Sequence, residues 1–211
     1  MASLATLRTN TLIYLGTTST DKAYPAATLD FCLNNAVNAI LGDIDETNPA
    51  WLELVATLTS TTSDYTLPAD FSKWQEVRLD DKDGVSLTEV RSDELNATSG
   101  YCFSLVGPDH AATLTTGGTV DAAHPLYLKY RAWPADLSAD TDQPDSIPRK
   151  YHDVIALMAA EEAMGLGGEN TLPAVLVNRK VDRHAQLMAH VARRGTDVMS
   201  VRGSWSGGYD D

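Results

Sequence analysis

The chain of 211 residues carries 16 Lys and Arg against 29 Asp and Glu, which gives a net charge of −13 at pH 7. A hydrophobic fraction of 43% is that of a chain with a buried core, so disorder is not expected. The acidic balance argues against a protein that wraps nucleic acid, which needs a basic footprint. No apolar run reaches the roughly 18 residues that would predict a membrane span.

The two cysteines, Cys32 and Cys102, fall far apart in sequence on different predicted elements. We therefore expect two buried free thiols rather than a disulfide. The first residues also lack the basic-then-apolar layout of a signal peptide. Both observations favour synthesis in the cytoplasm.

The N-terminal third is predicted to be helical. Ser3 is a favourable N-cap for a short helix that ends at Gly16. Pro25 opens a longer helix, and Gly42 fits its C′ position. The apolar residues of this second helix recur at helical spacing: Leu29, Cys32, Leu33, Ala36, Val37, Ile40 and Leu41.

From Trp51 the hydrophobic period changes to that of strands. Asp83 and Gly84 supply the positive φ that a hairpin turn requires, between strands that end at Leu79 and begin at Val85. The predicted strands are 51–59, 76–79, 85–90, 101–106, 112–115 and 126–132. They form a small antiparallel β insertion over residues 51–134.

Residues 135–144 are an acidic linker that leads into an antiparallel helix pair. The first helix opens at Pro148 and ends in Gly165, Gly167 and Gly168. Thr171 is a candidate N-cap for the second helix, which runs to about Arg194. Its predicted packing side consists of Val177, Val181, Ala185, Met188 and Val191 or Ala192.

The final stretch, residues 195–211, mixes Gly and Ser with isolated large apolar residues, which free tails usually lack. It either docks on a partner, for example as an added strand, or packs back on its own domain. The sequence thus predicts an α+β protein. It has a helical bundle over 1–50 and 145–194, a β insertion over 51–134, and an extended C-terminal tail over 195–211.

No arrangement of residues supports catalysis. The Asp80–Gly84 segment holds part of a calcium-loop pattern but lacks the spaced ligands and terminal Glu, so a hairpin turn is favoured. Asp140, Asp142 and Asp145 could meet a cation, although a solvated linker is the default. The histidines have no zinc spacing, and no Ser lies in a nucleophile elbow. We expect no cofactor, no metal and no enzymatic activity.

The order of features carries a resemblance to a known family. The sequence Tyr65–Phe71 introduces the strands, a strand ends in Tyr130–Pro134, and an acidic stretch follows to Ile147. The junction from Pro148 to Asp153 then opens a helix rich in Ala and Glu, followed by a second helix and a tail. This arrangement resembles the head-to-tail adaptor (connector) proteins of tailed bacteriophages.

The resemblance implies an assembly role in the virion neck, between capsid and tail. Such adaptors form a ring, twelve-fold in the family, which extends the DNA channel beneath the portal protein and gives the tail protein a surface to bind. Neighbouring copies, the portal protein and the tail protein would be the partners, and double-stranded DNA would pass without specific binding. Contact with the portal or a neighbouring copy would fall on Arg193, Arg194, Met199, Val201, Trp205 and Tyr209.

Charge leaves two interpretations open. Residues 1–148 hold 8 basic and 21 acidic residues, whereas residues 149–211 hold 8 of each, so the first stretch carries the whole net charge of −13. An acidic lining would let DNA slip through a channel because like charges repel. On charge alone, an acidic face that aids solubility is the simpler interpretation.

An alternative function is a β-rich binding module, such as a tail or baseplate component that contacts a host glycan. Sugars stack on exposed aromatic faces, and the candidates are Trp51, Tyr101, Tyr127 and Trp133. Core packing of these side chains is the simpler interpretation because large aromatic residues are usually buried.

Overall fold

The computed structural model describes residues 2–17, 24–79, 84–107, 112–118, 120, 124–168 and 172–203, and for residues 194–203 it describes the backbone alone. The chain divides into two compact units. The helical unit comprises Met1–Trp51 and Asp136–Asp211, and the β unit comprises Leu52–Ala135. The predicted α+β class is confirmed.

Four α-helices make up the helical unit over the residues that the structure describes. Their bounds are Leu4–Tyr14 for α1, Ala26–Thr47 for α2, His152–Gly167 for α3 and Ala174–Gly203 for α4. Short 3-10 helices at Pro49–Leu52 and Arg149–Tyr151 precede the first strand and α3. Because α3 is rich in alanine and buried on most of its girth, the other helices can approach it closely.

The predicted ends of α1 are confirmed, but the predicted end of α2 is wrong. The Thr6 N–H donates to Ser3 Oγ at the start of α1, and Gly16 follows its end with a φ of +76°. Helix α2 continues through Gly42 to Thr47. Ile44, one turn after Ile40, is fully buried, and this burial extends the helix beyond a glycine that by itself favours an end.

Helix α3 ends at the predicted glycine cluster. Gly168 adopts a left-handed φ of +70° and its N–H donates to Gly165 O, which ends the helix as a C-terminal glycine does. Helix α4 then runs antiparallel to α3. Glu161 in the second half of α3 contacts Lys180, whereas Asp153 at its start contacts Arg183 further along α4.

Two predictions for α4 are wrong. The helix continues nine residues past Arg194 to Gly203, so residues 195–203 of the predicted extended tail are helical; Val198 follows Val191 after two turns and keeps the apolar period across Gly195. The predicted packing side is right only in part. Val191 is fully buried as predicted, but Val181 is 56% exposed, and Leu187, which was not on the predicted side, is also fully buried. Residues 204–211 lie outside the described residues.

The described part of the β unit contains seven strands in two sheets. The strands are β1 (Glu53–Leu58), β2 (Asp64–Thr66), β3 (Phe71–Leu79), β4 (Thr88–Glu89), β5 (Tyr101–Val106), β6 (Thr113–Gly118) and β7 (Leu126–Ala132). One sheet has the order β1-β7-β3 and the other the order β2-β6-β5-β4. Burial alternates along β7, so one face of its sheet is turned to the core.

The hairpin after β3 is confirmed on the residues that flank its turn. The Leu79 N–H donates to Val85 O over 3.0 Å, and the Leu87 N–H donates to Val77 O over 2.7 Å. Gly84 has a φ of +70°, as a turn glycine should, while residues 80–83 lie outside the described residues.

One strand pair departs from the predicted antiparallel arrangement. Strand β4 pairs parallel to β5, with Thr88 opposite Cys102, whereas every other described pair is antiparallel. The connection of residues 90–100 explains the difference. A chain that returns in the same direction needs a crossover longer than a hairpin turn, and this segment contains hydrogen-bonded turns at Glu94 and Ala97.

The core of the β unit lies between the two sheets. Phe103 from one sheet and Trp74 from the other meet edge to face, with ring centroids 5.3 Å apart. Phe71 and Tyr130 stack at 6.0 Å. Burial of such aromatic side chains contributes several kcal/mol each, on the order of 25 cal/mol per Å² removed from water. The buried cluster comprises Leu58, Tyr65, Phe71, Val77, Leu79, Leu87, Phe103, Leu114, Leu126, Leu128, Tyr130 and Ala132.

Candidate assembly surface on the helical unit

Helix α4 is anchored to its unit by its middle section. Leu187 and Val191 are fully buried. Asn48, which follows α2, donates from Nδ2 to Val191 O over 3.0 Å. The Tyr151 hydroxyl donates to Gln186 O over 3.0 Å. These side chains use backbone carbonyls of α4 as acceptors, so they fix the position of the helix without depending on its side chains.

Aromatic rings complete this anchor. The His190 ring lies 5.7 Å from the Trp51 ring and 5.8 Å from the Tyr151 ring, measured between centroids. The Trp51 Nε1–H donates to Ser146 O over 2.9 Å. The segment before α3, the segment after α2 and α4 therefore meet at one point.

The contact between α3 and α4 is ionic. Arg183 Nε lies 3.0 Å from Asp153 Oδ2, and Arg179 Nη2 lies 3.4 Å from the same oxygen. Lys180, which precedes Arg183 by about one turn of α4, pairs with Glu161 on α3. The hydrogen bond to Asp153 raises the pKa of the Arg183 guanidinium further above its ordinary value, so the arginine stays charged.

Charged residues thus occupy part of the packing side of α4, and apolar residues occupy part of its exposed side. Val175 is 77% exposed and Val181 is 56% exposed. Leu166 on α3 and Ile13 on α1 are also more than half exposed. An exposed apolar side chain contributes little to folding, and a contiguous patch of such side chains indicates contact with another molecule, so these four residues are candidates for such a patch.

The predicted acidic linker is bonded to α1. The Leu4 N–H donates to Asp142 O over 2.8 Å, and the Ala5 N–H donates to Asp140 O over 3.2 Å. The Arg8 guanidinium bridges Asp30 on α2 and Asp140. Two N–H groups that α1 itself cannot pair are therefore satisfied by a segment more than 130 residues away in sequence.

Asn34 and Asp142 hold the same segment in place. Asn34 donates from Nδ2 to Leu137 O over 3.1 Å and accepts the Leu137 N–H at Oδ1 over 2.8 Å. Asp142 Oδ2 accepts the N–H groups of Ala139 and Ser138, and these bonds lower the pKa of its carboxyl group. The carboxylates of this segment therefore serve as hydrogen-bond acceptors within the helical unit.

The residues proposed from the sequence as the partner contact all belong to the last part of the chain. Arg193 is exposed on α4. Arg194, Met199 and Val201 lie on α4 by their backbone. Arg194 was predicted at the end of this helix, whereas Met199 and Val201 were predicted in an extended tail. Trp205 and Tyr209 lie outside the described residues.

The aromatic residues that would favour a glycan site are all half-buried. Trp51 belongs to the helical unit, whereas Tyr101, Tyr127 and Trp133 belong to the β unit. The Arg78 guanidinium covers the Tyr127 ring at 3.9 Å from its centroid, so that face is already occupied. Each of the four side chains is thus partly withdrawn from solvent, which does not favour the exposed stacking face that a sugar needs.

Both cysteines are free and buried, as predicted. Burial, with a smaller effect of the Glu162 charge, raises the pKa of Cys32 to about 11, so this thiol is not ionised at neutral pH. Across the described part of the chain, no three His, Cys, Asp or Glu side chains lie close enough to share a metal ion. None of the described helices is long and apolar enough to cross a bilayer.

An anchored long helix with exposed apolar side chains is typical of a protein that assembles with other proteins. A family model described as SU10 adaptor protein matches residues 2–206 of the chain. The chain therefore belongs to the SU10 adaptor protein family, a family of phage adaptors. This membership points to a structural protein of the virion. No curated protein sequence matches the chain.

Proposed function

We propose that the protein is the head-to-tail adaptor of a tailed phage virion. Twelve copies form a ring between the portal protein and the tail protein, and this ring extends the channel through which double-stranded DNA leaves the capsid. Membership of the adaptor family supports an assembly role. The ring, its position in the neck and its partners are our proposal.

The observation that carries this proposal is the length of α4. The helix is anchored at Val191, which is fully buried, and its backbone continues for twelve residues to Gly203. At 1.5 Å per residue, this section is about 18 Å long. Arg193, Arg194 and Met199 lie on it, and Arg and Met are types that anchor interfaces. We assign this section and the residues after it to the contact with the portal.

A closed ring also requires two different surfaces that face each other on neighbouring copies. The helical unit offers exposed apolar side chains on separate helices, with Phe31 on α2 more than half exposed and Val175 and Val181 exposed on α4. These side chains are candidates for the contact between copies.

Measurement of mass in solution tests the proposal. The purified chain is measured by native mass spectrometry, alone and mixed with portal rings from the same phage. We expect a monomer that becomes a twelve-copy ring on the portal. The absence of any association with the portal, at high protein concentration and modest salt, would overturn the proposal.

Truncation locates the portal contact. Deletion of residues 195–211 should leave the fold intact, because Leu187 and Val191 remain, and should abolish docking on portal rings. Deletion of residues 204–211 keeps α4 whole and separates the contribution of the helix from that of Trp205 and Tyr209. Melting temperature and ring mass are measured for both. Full docking by the shorter chain would contradict the assignment.

Charge neutralisation tests the role of the acidic surface. Glu89 and Glu94 are exposed on the β unit, and the double change Glu89→Gln and Glu94→Gln removes two negative charges there. If these residues line the DNA path, weaker repulsion should slow DNA ejection from complemented virions. Asp182→Asn, at an exposed position on α4, is the control. Unchanged DNA retention and ejection in the double variant would count against the lining.

A further inference from the structure

Strand β1 leaves one side of its sheet open. It pairs with β7 along its whole length, from Glu53 opposite Arg131 to Leu58 opposite Leu126. It is the outermost strand of the order β1-β7-β3. Within the described part of the chain, no backbone hydrogen bond reaches the other side of β1. Six residues span about 20 Å of unpaired N–H and C=O groups.

The other described edges of the two sheets are short, partly covered or irregular. At the opposite end of the same sheet, β3 exchanges hydrogen bonds with Val85 and Leu87 at its Val77–Leu79 end, and its register with β7 shifts twice between Phe71 and Glu76. In the second sheet, the outer strands β2 and β4 have three and two residues. Strand β1 is therefore the long edge of the described β unit that is both open and regular.

This edge lacks the features by which proteins block unwanted pairing. Its sequence Glu-Leu-Val-Ala-Thr-Leu contains no Pro and no Lys, and its register with β7 is continuous, without a bulge. The carboxylate of Glu53 forms an ion pair with Lys129 of the neighbouring strand, with Oε2 and Nζ 2.7 Å apart. An apolar open edge of this length is a site for strand addition or for aggregation.

The hydrophobic core is also incomplete at β1. Leu54 and Leu58 lie on the same face of the strand, four residues apart. Leu58 is buried in the core and Tyr130, opposite Leu54, is only 4% exposed, whereas Leu54 is 47% exposed. Val55 on the other face is 55% exposed. An added strand would cover apolar surface on both faces as well as the backbone groups.

Charge identifies the kind of strand that fits. Residues 52–135 hold 6 basic and 12 acidic residues, a net charge of −6. Pairing of β1 with β1 of a second copy would bring two such units together, and residues 204–211 end in two aspartates. Both occupants are disfavoured by like charge, whereas a strand that carries Lys or Arg is attracted.

We propose that β1 is a strand-addition site for an extended segment of another virion protein, a segment that carries apolar residues on both faces together with Lys or Arg. The added strand pairs with the free backbone groups of β1 and covers Leu54 and Val55. The inference adds an attachment surface to the proposed adaptor and does not depend on the ring.

Photochemical crosslinking in the assembled virion tests this surface. The photoreactive amino acid p-benzoylphenylalanine replaces Val55, and virions are assembled with the full-length labelled chain and irradiated. The same replacement of Val106 is the matched control, because Val106 is 48% exposed but lies on β5, an interior strand of the other sheet. Mass spectrometry of the crosslinked peptides identifies the segment that contacts each position.

The expected product at position 55 is a Lys- or Arg-containing extended segment of a different virion protein, which the position 106 control does not capture. A crosslink to β1 of another copy, a crosslink to residues 204–211, or no crosslink would overturn the proposal. Ring formation on the portal is measured on the same preparation. It tests the proposed function, whereas the crosslink tests only the strand-addition site.

A second variant tests whether the crosslink at position 55 depends on the open edge of β1. Leu54→Lys places a charge at the open edge, and we expect at least a tenfold loss of the position 55 crosslink with an unchanged circular dichroism spectrum. Val106→Lys adds the same charge elsewhere on the β unit and should leave the crosslink unchanged. Equal yields from the two variants would show that strand addition at β1 is not the contact.

Discussion

The helical unit and the β unit complete their cores in different ways. In the helical unit, distant segments are joined by polar side chains that satisfy backbone groups, such as Asn34 with Leu137 and Asn48 with Val191. In the β unit, the aromatic core is closed between the sheets, while Leu54 at the rim of the core is half exposed. In the first unit, side chains bond backbone groups of connecting segments and of α4, whereas the second unit has a strand edge with unpaired backbone groups.

This difference shows where each unit can accept a partner. A helix satisfies its own backbone, so the helical unit can offer only side chains such as Val181 to another molecule. A sheet edge offers backbone groups as well, so β1 can bind a partner strand of many sequences. The following substitutions test the comparison.

The largest effect should come from the cores. Phe103→Ala in the β unit removes a fully buried ring and should lower the free energy of unfolding by about 3–5 kcal/mol. Leu33→Ala in α2 should cost the helical unit about 2–5 kcal/mol. Hydrogen exchange resolved by segment should show each substitution loosening chiefly its own unit.

Equal loosening of both units by either substitution would contradict this prediction. The two units would then unfold as one cooperative body, and the distinction between their cores would have no consequence for stability.

Asn34→Ala should have an intermediate effect. The substitution removes both hydrogen bonds to Leu137, whose side chain is buried, and leaves its N–H and C=O without these partners. We expect a loss of about 1–3 kcal/mol in urea denaturation. Asn38→Ala, which removes a bond to the exposed side chain of Asp136, is the control and should cost less. Similar losses from the two variants would show that the paired backbone groups are not what matters.

Glu53→Gln should have the smallest effect and should depend on pH. Burial raises the pKa of Glu53, but hydrogen bonds from Lys129 and Gln75 lower it more, so the net direction is down. A carboxyl group with a lowered pKa stabilises the fold above its unfolded pKa of about 4.3 and loses this contribution as pH falls through the folded value. Because both side chains are partly exposed, we expect a cost below about 1 kcal/mol at pH 7.

The difference between Glu53→Gln and the unchanged chain should shrink as the pH falls below the unfolded pKa of about 4.3, and it should vanish below the lowered folded pKa, where the native carboxyl group is itself protonated. Urea denaturation at several pH values measures this difference. A difference that stays constant with pH would mean that the charge of Glu53 is irrelevant.

Local patterns were enough to predict much of the fold. The bounds of β7, the glycine that ends α3 and the hairpin around Gly84 follow from alternation and from backbone conformations that glycine alone adopts readily. Such signals depend on a few neighbouring residues, so they can be recognised in a single sequence.

Long-range polar contacts were not predictable in the same way. Arg183 and Lys180 form ion pairs on the side of α4 that packs against α3, whereas Val181 of the apolar stripe is exposed. No local pattern distinguishes a paired arginine from a solvated one. The bridge from Arg8 to Asp140 joins residues more than 130 positions apart. The acidic stretch looked like a linker because its hydrogen-bond partners lie near the other end of the chain.

The bonds between α1 and the segment at Asp140 and Asp142 have a consequence for the order of folding during synthesis. Helices α1 and α2 leave the ribosome first, but the residues that complete their unit come after the whole β unit. The β unit is contiguous, so its strands can pair while α3 is still being made, since domains fold as units during translation. Helices α1 and α2 are therefore synthesised before the β unit, but their unit is completed after it.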